Sequence, residues 1–491
     1  MSENKDKKKL KLPDIEKDFS EWYNSVVFEA ELVEHAPTRG CIVIRPYGYS
    51  IWEEIQRQLD EKIKSMGVKN AAFPLLIPAS FIEAEKDHVE GFAPEVVVAT
   101  HAGGKELEEK LVIRPTSETI IHWMFARWIR SWRDLPLKIN QWCSVVRWER
   151  RPRPFIRTTE FWWQEGHTAH KNREEANEQA NEARETYYNF IEKVLAIPVV
   201  TGKKPQYERF AGADETLTLE AMMPDGKALQ MGTSHILGQG FCESFKIQFQ
   251  DSDGVLKSPV LTSWGVTTRL IGALIMSHGD QKGLIIPPKL APIQIVLIPF
   301  FKEGINEFLV SEIEKLSRSL NEFGFRVFFD SDKEERPGFK FNKWELKGVP
   351  FRIEIGEKEL QDFSFIFSRR DSGEKIKVNY KSSDFSLKSF IEGEIEDLNK
   401  RIYKKAQKRL EEKTYDSFFS EEEWGSSIQE KNGFYKLFWC GKAETIEIIK
   451  KYSASVRCVL EENEEFELMQ CCTCFKGSCK PKYKVIVAKS Y

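Results

Sequence analysis

Short apolar runs punctuate the first 285 residues. CIVIRP (41–46), AAFPLLIP (71–78) and VVRWE (145–149) read as strands, and helical patterns fall between them without a regular strand and helix alternation. Between 171 and 194, Ala176, Ala180, Ala183, Tyr187, Ile191 and Val194 recur every three or four residues while the other faces are charged. That period predicts a helix with one packed side. The irregular order of strands and helices predicts an α+β domain with an antiparallel or mixed sheet over 20–289. After the proline-rich IIPPKLAP the texture changes to PIQIVLIPFF, an amphipathic segment at 305–323, FRVFFDSD, a helix-like NKWELKG and PFRIEIGE. Strand, helix, strand, helix, strand predicts an α/β domain over 290–400. Ile305, Phe308, Leu309, Ile313, Leu316, Leu320 and Phe323 are expected to set its first helix against the sheet. A hairpin turning at Asp371, Ser372 and Gly373 follows. A charged helical stretch then leads into a small cysteine-rich α+β domain, 401–491, and residues 1–19 form a polar tail.

Length agrees with this division, because 491 residues exceed what one core usually organises and imply two to four domains. With 41% apolar and 12% aromatic residues the chain can pack well and is not expected to carry long disorder. The net charge of -3 does not announce a polyanion partner, yet a nucleic-acid surface needs only a local basic face. The opening MSENKDKKKLK has neither the apolar core of a secretion signal nor an amphipathic transit pattern, and reads as a solvated tail whose lysines can also brush a phosphate backbone. No apolar run approaches the roughly 20 residues of a membrane span. A soluble, cytoplasmic protein is expected.

The odd total of nine cysteines makes a disulfide framework unexpected and favours thiols or metal ligation. Cys41, Cys143 and Cys242 are scattered, whereas Cys440, Cys458, Cys471, Cys472, Cys474 and Cys479 crowd the end of the chain.

The stretch richest in chemistry is QWCSVVRWERRPRPFIRTTEFWWQEGHTAH, 141–170. It reads as a strand with Arg147 and Glu149 on one face, a proline-stiffened basic loop, and a second strand with Arg157, Glu160, Phe161, Trp163 and Glu165. Guanidinium forks suit a triphosphate or carboxylate, and aromatic walls among carboxylates suit a small, partly apolar cation. The same residues also suit a charged surface hairpin. RPTSE (114–118) supplies Thr116 and Glu118, able to receive an ammonium group or to start a helix. In LTSWGVTTRLIGALI, Gly265, Thr267, Thr268 and Arg269 precede an apolar helix, where a nucleotide can lie close and Arg269 can reach its phosphates; a capped helix alone would look similar.

In order, a segment ending at Pro74, the Arg147-Trp-Glu149 loop and the strand closing on Arg269 resemble the three signature motifs of class II aminoacyl-tRNA synthetases. Longer strings are similar to prolyl-tRNA synthetases of the archaeal and eukaryotic type: IRPYG at 44–48, FAPEV at 92–96, RPTSE, QWC-VVRWE, WQEGH, MGTSHILGQ at 231–239, SWGVTTR and PGFKFNKWELKGVP. The resemblance runs over nearly the whole chain. It implies a two-step ligase that activates L-proline with ATP and Mg²⁺ and esterifies it to tRNA(Pro), working as a homodimer.

The resemblance also implies roles. Thr116 and Glu118 would hold the proline amine and Arg147 would bridge the proline carboxylate and the α-phosphate. Trp163, Glu165, His167, His235 and Ser263, with Phe92 and Glu95, would shape the proline pocket. Glu149, Arg157, Gln230, Thr233, Thr268 and Arg269 would bind ATP, leaving Arg147 and Arg269 as the catalytic pair. His167 and His170 are spaced as metal ligands but lack a third in sequence, so they read as pocket and surface residues respectively. Residues 290–400 resemble an anticodon-binding domain, with Lys340, Glu345 and Arg352 as base readers and Phe339 or Phe341 as stacking partners. In relatives a Cys-x4-Cys pair and a later Cys-x-Cys bind structural zinc. Here Thr445 replaces the second cysteine of the first pair. Cys440, Cys472, Cys474 and Cys479 can still close a site; the alternative is a relic with free thiols. No large insertion between the second and third motifs suggests an editing domain. Two other readings stay open, a catalytically silent synthetase-like RNA-binding protein and a sister enzyme for threonine, serine or histidine.

Overall fold

A computed structural model describes residues 12–84, 96–301, 306–381, 385–416, 418, 420–463, 466, 471 and 479–491. They gather into two compact units, one of residues 12–34, 43–54 and 274–402 and a larger one of 35–42, 55–273 and 403–491. Among the described residues, no helix is long and apolar enough to cross a membrane.

The larger unit is organised by an eleven-stranded sheet. Its centre is β1 (Leu137–Val146), β2 (Glu160–His170), β3 (Val199–Lys203), β4 (Ala213–Met222), β5 (Ala228–Leu237) and β6 (Val260–Thr267). In space they run β3-β4-β5-β6-β2-β1, antiparallel at every step. The sheet does not stop at β3. It continues into the C-terminal region through β8 (Ser455–Glu462), β9 (Tyr483–Ala488) and β7 (Phe434–Trp439), so the cysteine-rich region extends the central sheet.

One face of this sheet is sealed by the helix expected at 171–194, observed as Arg173–Lys193, here α2. Asn172 caps it by accepting the Glu175 amide at 2.9 Å, and Glu174 and Glu175 sit at the positive end of its dipole. Ala176, Ala180, Ala183, Tyr187 and Ile191 are buried. The small alanines bring the helix close enough for Ser234 Oγ to donate to the Ala180 carbonyl at 2.9 Å. Tyr187 donates to Gln164 Oε1 at 2.5 Å and its ring packs edge-on against Trp264, 6.1 Å between centroids. A Cβ at Gly166 would lie 2.2 Å from the Trp264 ring, so only glycine fits beneath it. Because side chains alternate along a strand, the odd-numbered positions of β2 and β6 face the other way. That opposite face is open and carries the site.

The smaller unit holds a five-stranded sheet in the order Val327–Phe329, Ile295–Phe300, Phe351–Gly356, Ser364–Arg369, Lys375–Asn379. Its first three strands are parallel and the last two antiparallel, as the strand and helix alternation predicts. The helix Glu307–Glu322 buries Leu309, Ile313 and Leu320. The expected apolar face is too wide, however: Phe308 is 67% exposed and Phe323 42%. The buried seam follows the i, i+4, i+11 positions; Phe308, one step before Leu309, is rotated about 100° off it, and Phe323 lies past the last helical residue, Glu322. Ile305 lies outside the described residues.

Candidate active site

The open face of the central sheet holds a cavity of about 450 Å³. It contains two chemically distinct ends, both drawn from strands whose register places their side chains in common reach.

The acidic end is built where β2 meets the start of helix α1 (Glu118–Trp128). Ser117 occupies the helix N-cap position yet makes no cap hydrogen bond; it gives its hydroxyl to Glu165 Oε1 at 2.5 Å. RPTSE therefore starts a helix and lines the site at once. Gln141 Nε2 donates to the same Glu165 oxygen at 2.5 Å, and His167 Nε2 meets Glu165 Oε2 at 3.0 Å. Burial pushes the Glu165 carboxyl up, but His167, Ser117 and Gln141 outweigh it and the net shift is down. Burial likewise opposes the His167 cation, and Glu165 with help from Glu118 reverses it, raising that pKa. The result is a buried ion pair. Thr116 Oγ1 donates to Glu118, which is 5% exposed. His235 accompanies Thr216, 2.9 Å from its Nδ1, and burial with the nearby His167 charge lowers its pKa to about 3, leaving it neutral. Ser263 Oγ is buried without a hydrogen-bond partner at the cavity wall. A hydroxyl left unpaired in this way is available to a ligand.

The basic end collects Arg147, Arg157 and Arg269. β1 stops at Val146, so Arg147 and Glu149 lie beyond the strand and not on it as expected; the Arg147 amide makes the last rung, to Thr159 O at 2.8 Å. The proline-bearing turn takes over from there. Arg147 Nε donates to Pro115 O at 2.9 Å, and its guanidinium approaches the Phe161 and Trp163 rings at 5.5 and 5.6 Å. Arg157 pairs loosely with Glu149, 3.9 Å apart, and donates to the Tyr491 backbone oxygen at 3.3 Å. Arg269 opens helix α3 (Arg269–His278) and donates to Gln230 O at 3.3 Å. Burial first, then the Arg157 charge, lowers its pKa to about 10, which leaves it cationic at neutral pH. Gln230 and Thr233 can both face the cavity because the β4–β5 register slips between Leu219 and Glu220, a bulge that skips Met231.

Not every expected residue joins them. Thr268 is 2% exposed and its amide bonds Trp162 O at 2.9 Å; it does not line the cavity. His170, expected at the surface, is 2% exposed, with Thr168 Oγ1 2.7 Å from its Nε2, and burial lowers its pKa to about 4. Phe92 and Glu95 lie outside the described residues. Several cavity residues carry no sequence signal: Phe210, whose ring lies 5.0 Å from that of His235, and Lys204, each isolated between motifs.

In the smaller unit, Lys340 is 2% exposed and binds Asp330, at 2.7 Å to its carbonyl and 3.0 Å to Oδ1. Arg352 is also buried, bonded to Glu354 at 2.9 Å and stacked 3.9 Å over Phe341. Glu345, 3.5 Å from Arg352, keeps a quarter of its side chain exposed, and Phe339 is 41% exposed. The two basic side chains are thus committed inside their own domain in this structure.

Near the C-terminus, Cys440, Cys471 and Cys479 bring their sulfurs within 4.8 Å of one another. Cys471 was not among the expected ligands, while Cys472 and Cys474 lie outside the described residues. Thr445 accepts from Trp439 Nε1 at 2.7 Å, a packing role in place of a thiolate. Cys479 is disulfide-bonded, where a metal ligand or a free thiol was expected. Three soft sulfur donors in one cluster suit zinc once Cys479 is reduced to a thiolate.

Residues 99–278, which include the whole cavity, match the family model described as tRNA synthetase class II core domain (G, H, P, S and T). Residues 294–384 match the anticodon binding domain model. The chain is 47% identical to Proline–tRNA ligase of Borreliella burgdorferi strain ZS7, over 97% of this chain and 98% of the relative. The chain belongs to the proline–tRNA ligase family. Within that family it is also 45% identical to Proline–tRNA ligase 2 of Clostridioides difficile strain 630 over 97% of each chain. The Chlorobium phaeovibrioides proline–tRNA ligase is 46% identical, over 98% of this chain and 99% of its own. Full-length similarity extends the family assignment to the C-terminal strands, which neither family model covers.

Proposed function

We propose that this cavity activates L-proline as prolyl-adenylate, releasing pyrophosphate from ATP, and that the prolyl group then passes to the 3′ end of tRNA(Pro). The observation that carries the reading is the sharing of one cavity by the buried Thr116, Glu118, Glu165 and His167 cluster and by Arg147, Arg157 and Arg269.

Proline carries a secondary ammonium with two N–H donors, and Glu118 with Thr116 offer acceptors for them. Trp163 and Phe210 would enclose its ring methylenes. The proline carboxylate must attack the α-phosphorus in line, so two anions have to be held together. Arg147, of the basic end but bonded to the Pro115 carbonyl next to Thr116, is suited to bridge them. Arg157 and Arg269, with Glu149, Gln230 and Thr233, would hold the nucleotide, which enters as its Mg²⁺ complex. Each charge-assisted hydrogen bond to the phosphates is worth about 1.5–3 kcal/mol. As charge builds on the leaving pyrophosphate, fixed arginines stabilise it without reorganising. No protein nucleophile is needed.

Leu75, Leu76, Val98 and Trp128 of the larger unit are 42–45% exposed. The two exposed leucines directly follow Pro74 and support a homodimer formed through this region. Residues 290–400 are the proposed anticodon-binding domain, with Glu345 and Phe339 the more accessible of its candidate contacts. Cys440, Cys471 and Cys479 would hold structural zinc, and a cytoplasmic location fits the reading.

The test is ATP–pyrophosphate exchange by pure protein with single amino acids. Exchange that depends on proline and not on threonine, serine or histidine is expected. No exchange with proline would remove the enzymatic reading in favour of a silent RNA-binding one.

A further inference from the structure

Glu220 is completely buried on β4, within the catalytic core, and is surrounded by cations from two distant parts of the chain. Lys204, whose side chain lines the cavity, donates to Glu220 Oε1 at 2.8 Å, and Thr218 adds a second bond at 2.9 Å. Arg457 comes from β8 and donates to Oε2 through Nε at 3.1 Å and Nη2 at 3.0 Å. Its Nη1 is anchored on Ser455 Oγ at 3.1 Å. Glu220 stands opposite Gln230 in the β4–β5 ladder, and the Gln230 carbonyl is the one that receives Arg269. A continuous path of contacts therefore runs from β8 to the arginine proposed to bind ATP.

The approach of β8 is tight by construction. A Cβ at Gly202 on β3 would fall 2.4 Å from the Val459 carbonyl and 2.9 Å from Cys458 Cβ. Glycine at this place lets β8 reach the edge of the catalytic sheet, and Arg457 is the side chain it delivers.

Stability alone is a weak reason for such a triad, because buried ion clusters are often replaced by apolar packing at no loss. Position gives a better one. A carboxylate next to a polyphosphate site repels its ligand unless it is neutralised, and Lys204 and Arg457 supply two positive charges against one. Arg269 responds to both partners: Glu220 favours its cation and Arg457 opposes it.

We propose that Arg457 is a positioning residue for the ATP side of the cavity, acting through Glu220, so that β8 of the C-terminal region completes the nucleotide subsite of the catalytic core. This rests on the proline-activating reading above, which wild-type exchange activity tests by itself. Full-length Arg457→Gln, Arg457→Lys and the double variant Glu220→Gln/Arg457→Gln would be compared in the same assay, with melting temperatures recorded. Arg457→Gln is expected to raise KM for ATP about fivefold or more while KM for proline stays within about twofold, since the cluster then loses its excess positive charge and that loss acts over a short range. Arg457→Lys is expected to recover most of that loss, and the double variant to return KM for ATP to within about twofold of wild type. An active wild type whose Arg457→Gln form keeps its ATP KM, or shifts both KM values together, would overturn the proposal. Should Arg457→Gln fail to fold, the double variant, in which Lys204 alone keeps the cluster's net charge, decides: an ATP KM raised about fivefold or more there also overturns it.

Discussion

Glu165 and His167 sit two residues apart on one strand, and their side chains meet at 3.0 Å with only 5% and 1% of their surfaces exposed. Strand alternation makes the pair possible, since i and i+2 share a face. The folded carboxyl is lowered from 4.5 and the imidazole raised from 6.5. For Glu165 the stabilisation is complete above 4.5 and is lost as pH falls through its lowered folded value. For His167 it is complete below 6.5 and is lost as pH rises through its raised folded value. The pair therefore contributes in full between those two ordinary values. His167→Gln should lower stability most within that window, by about 3 kcal/mol for a buried charge left without its partner. Denaturant unfolding at a series of pH values from 5.5 upward measures it: a loss that stays constant across the whole series would separate the pair from the effect.

Arg269 is held by the Gln230 carbonyl, and its Nε is buried without a partner. A guanidinium with spare donors beside a proposed polyphosphate site is equipped for bidentate contact, which an ammonium cannot imitate. Arg269→Lys should preserve folding and cut kcat/KM for ATP on the order of 10²-fold in pyrophosphate exchange. A loss below about threefold would mean that charge alone suffices at this position.

Periodicity made some of this architecture readable. The alanine and tyrosine stripe of α2 announces a packed helix because burial there depends on one short-range repeat. The same reasoning overextends at Phe308 and Phe323, where an apolar residue at the margin of the seam needs no burial and is left in water. Arg147 and Glu149 look like strand residues by their spacing, but the prolines that follow remove backbone donors and the ladder ends at Val146. Charge is the hardest to read. Lys340 looks like a solvated base reader until Asp330 is placed beside it, and Glu220 gives no hint of Arg457, 237 residues away. Local pattern reports which face is wet; which charges meet depends on how strands far apart in sequence come together.

Gly166 offers a test of the sealed face without touching the cavity. Its missing side chain leaves room for the Trp264 ring, which is 2% exposed. Gly166→Ala forces either the ring or the strand to move, and overpacking of this kind costs about 1–3 kcal/mol. A lowered melting temperature is expected, and Gly166→Ala with Trp264→Phe should regain part of it. A single variant as stable as wild type would show that the ring has room to shift.

The cysteine cluster yields the last prediction. Cys440, Cys471 and Cys479 converge from segments separated by β8 and the chain beyond it, and they lie in the same region that delivers Arg457. Zinc requires thiolates, so protein prepared under reducing conditions should carry about one zinc per chain, bound with the affinity of a structural site. Chelation should then lower the melting temperature, and Cys471→Ser should abolish retention of the metal while leaving Thr445 and the Trp439 hydrogen bond in place. Elemental analysis of the reduced, desalted protein measures the first outcome directly. Protein that is fully reduced, folded and free of zinc would instead make these thiols a packing cluster, with Thr445 marking where a four-cysteine site was given up.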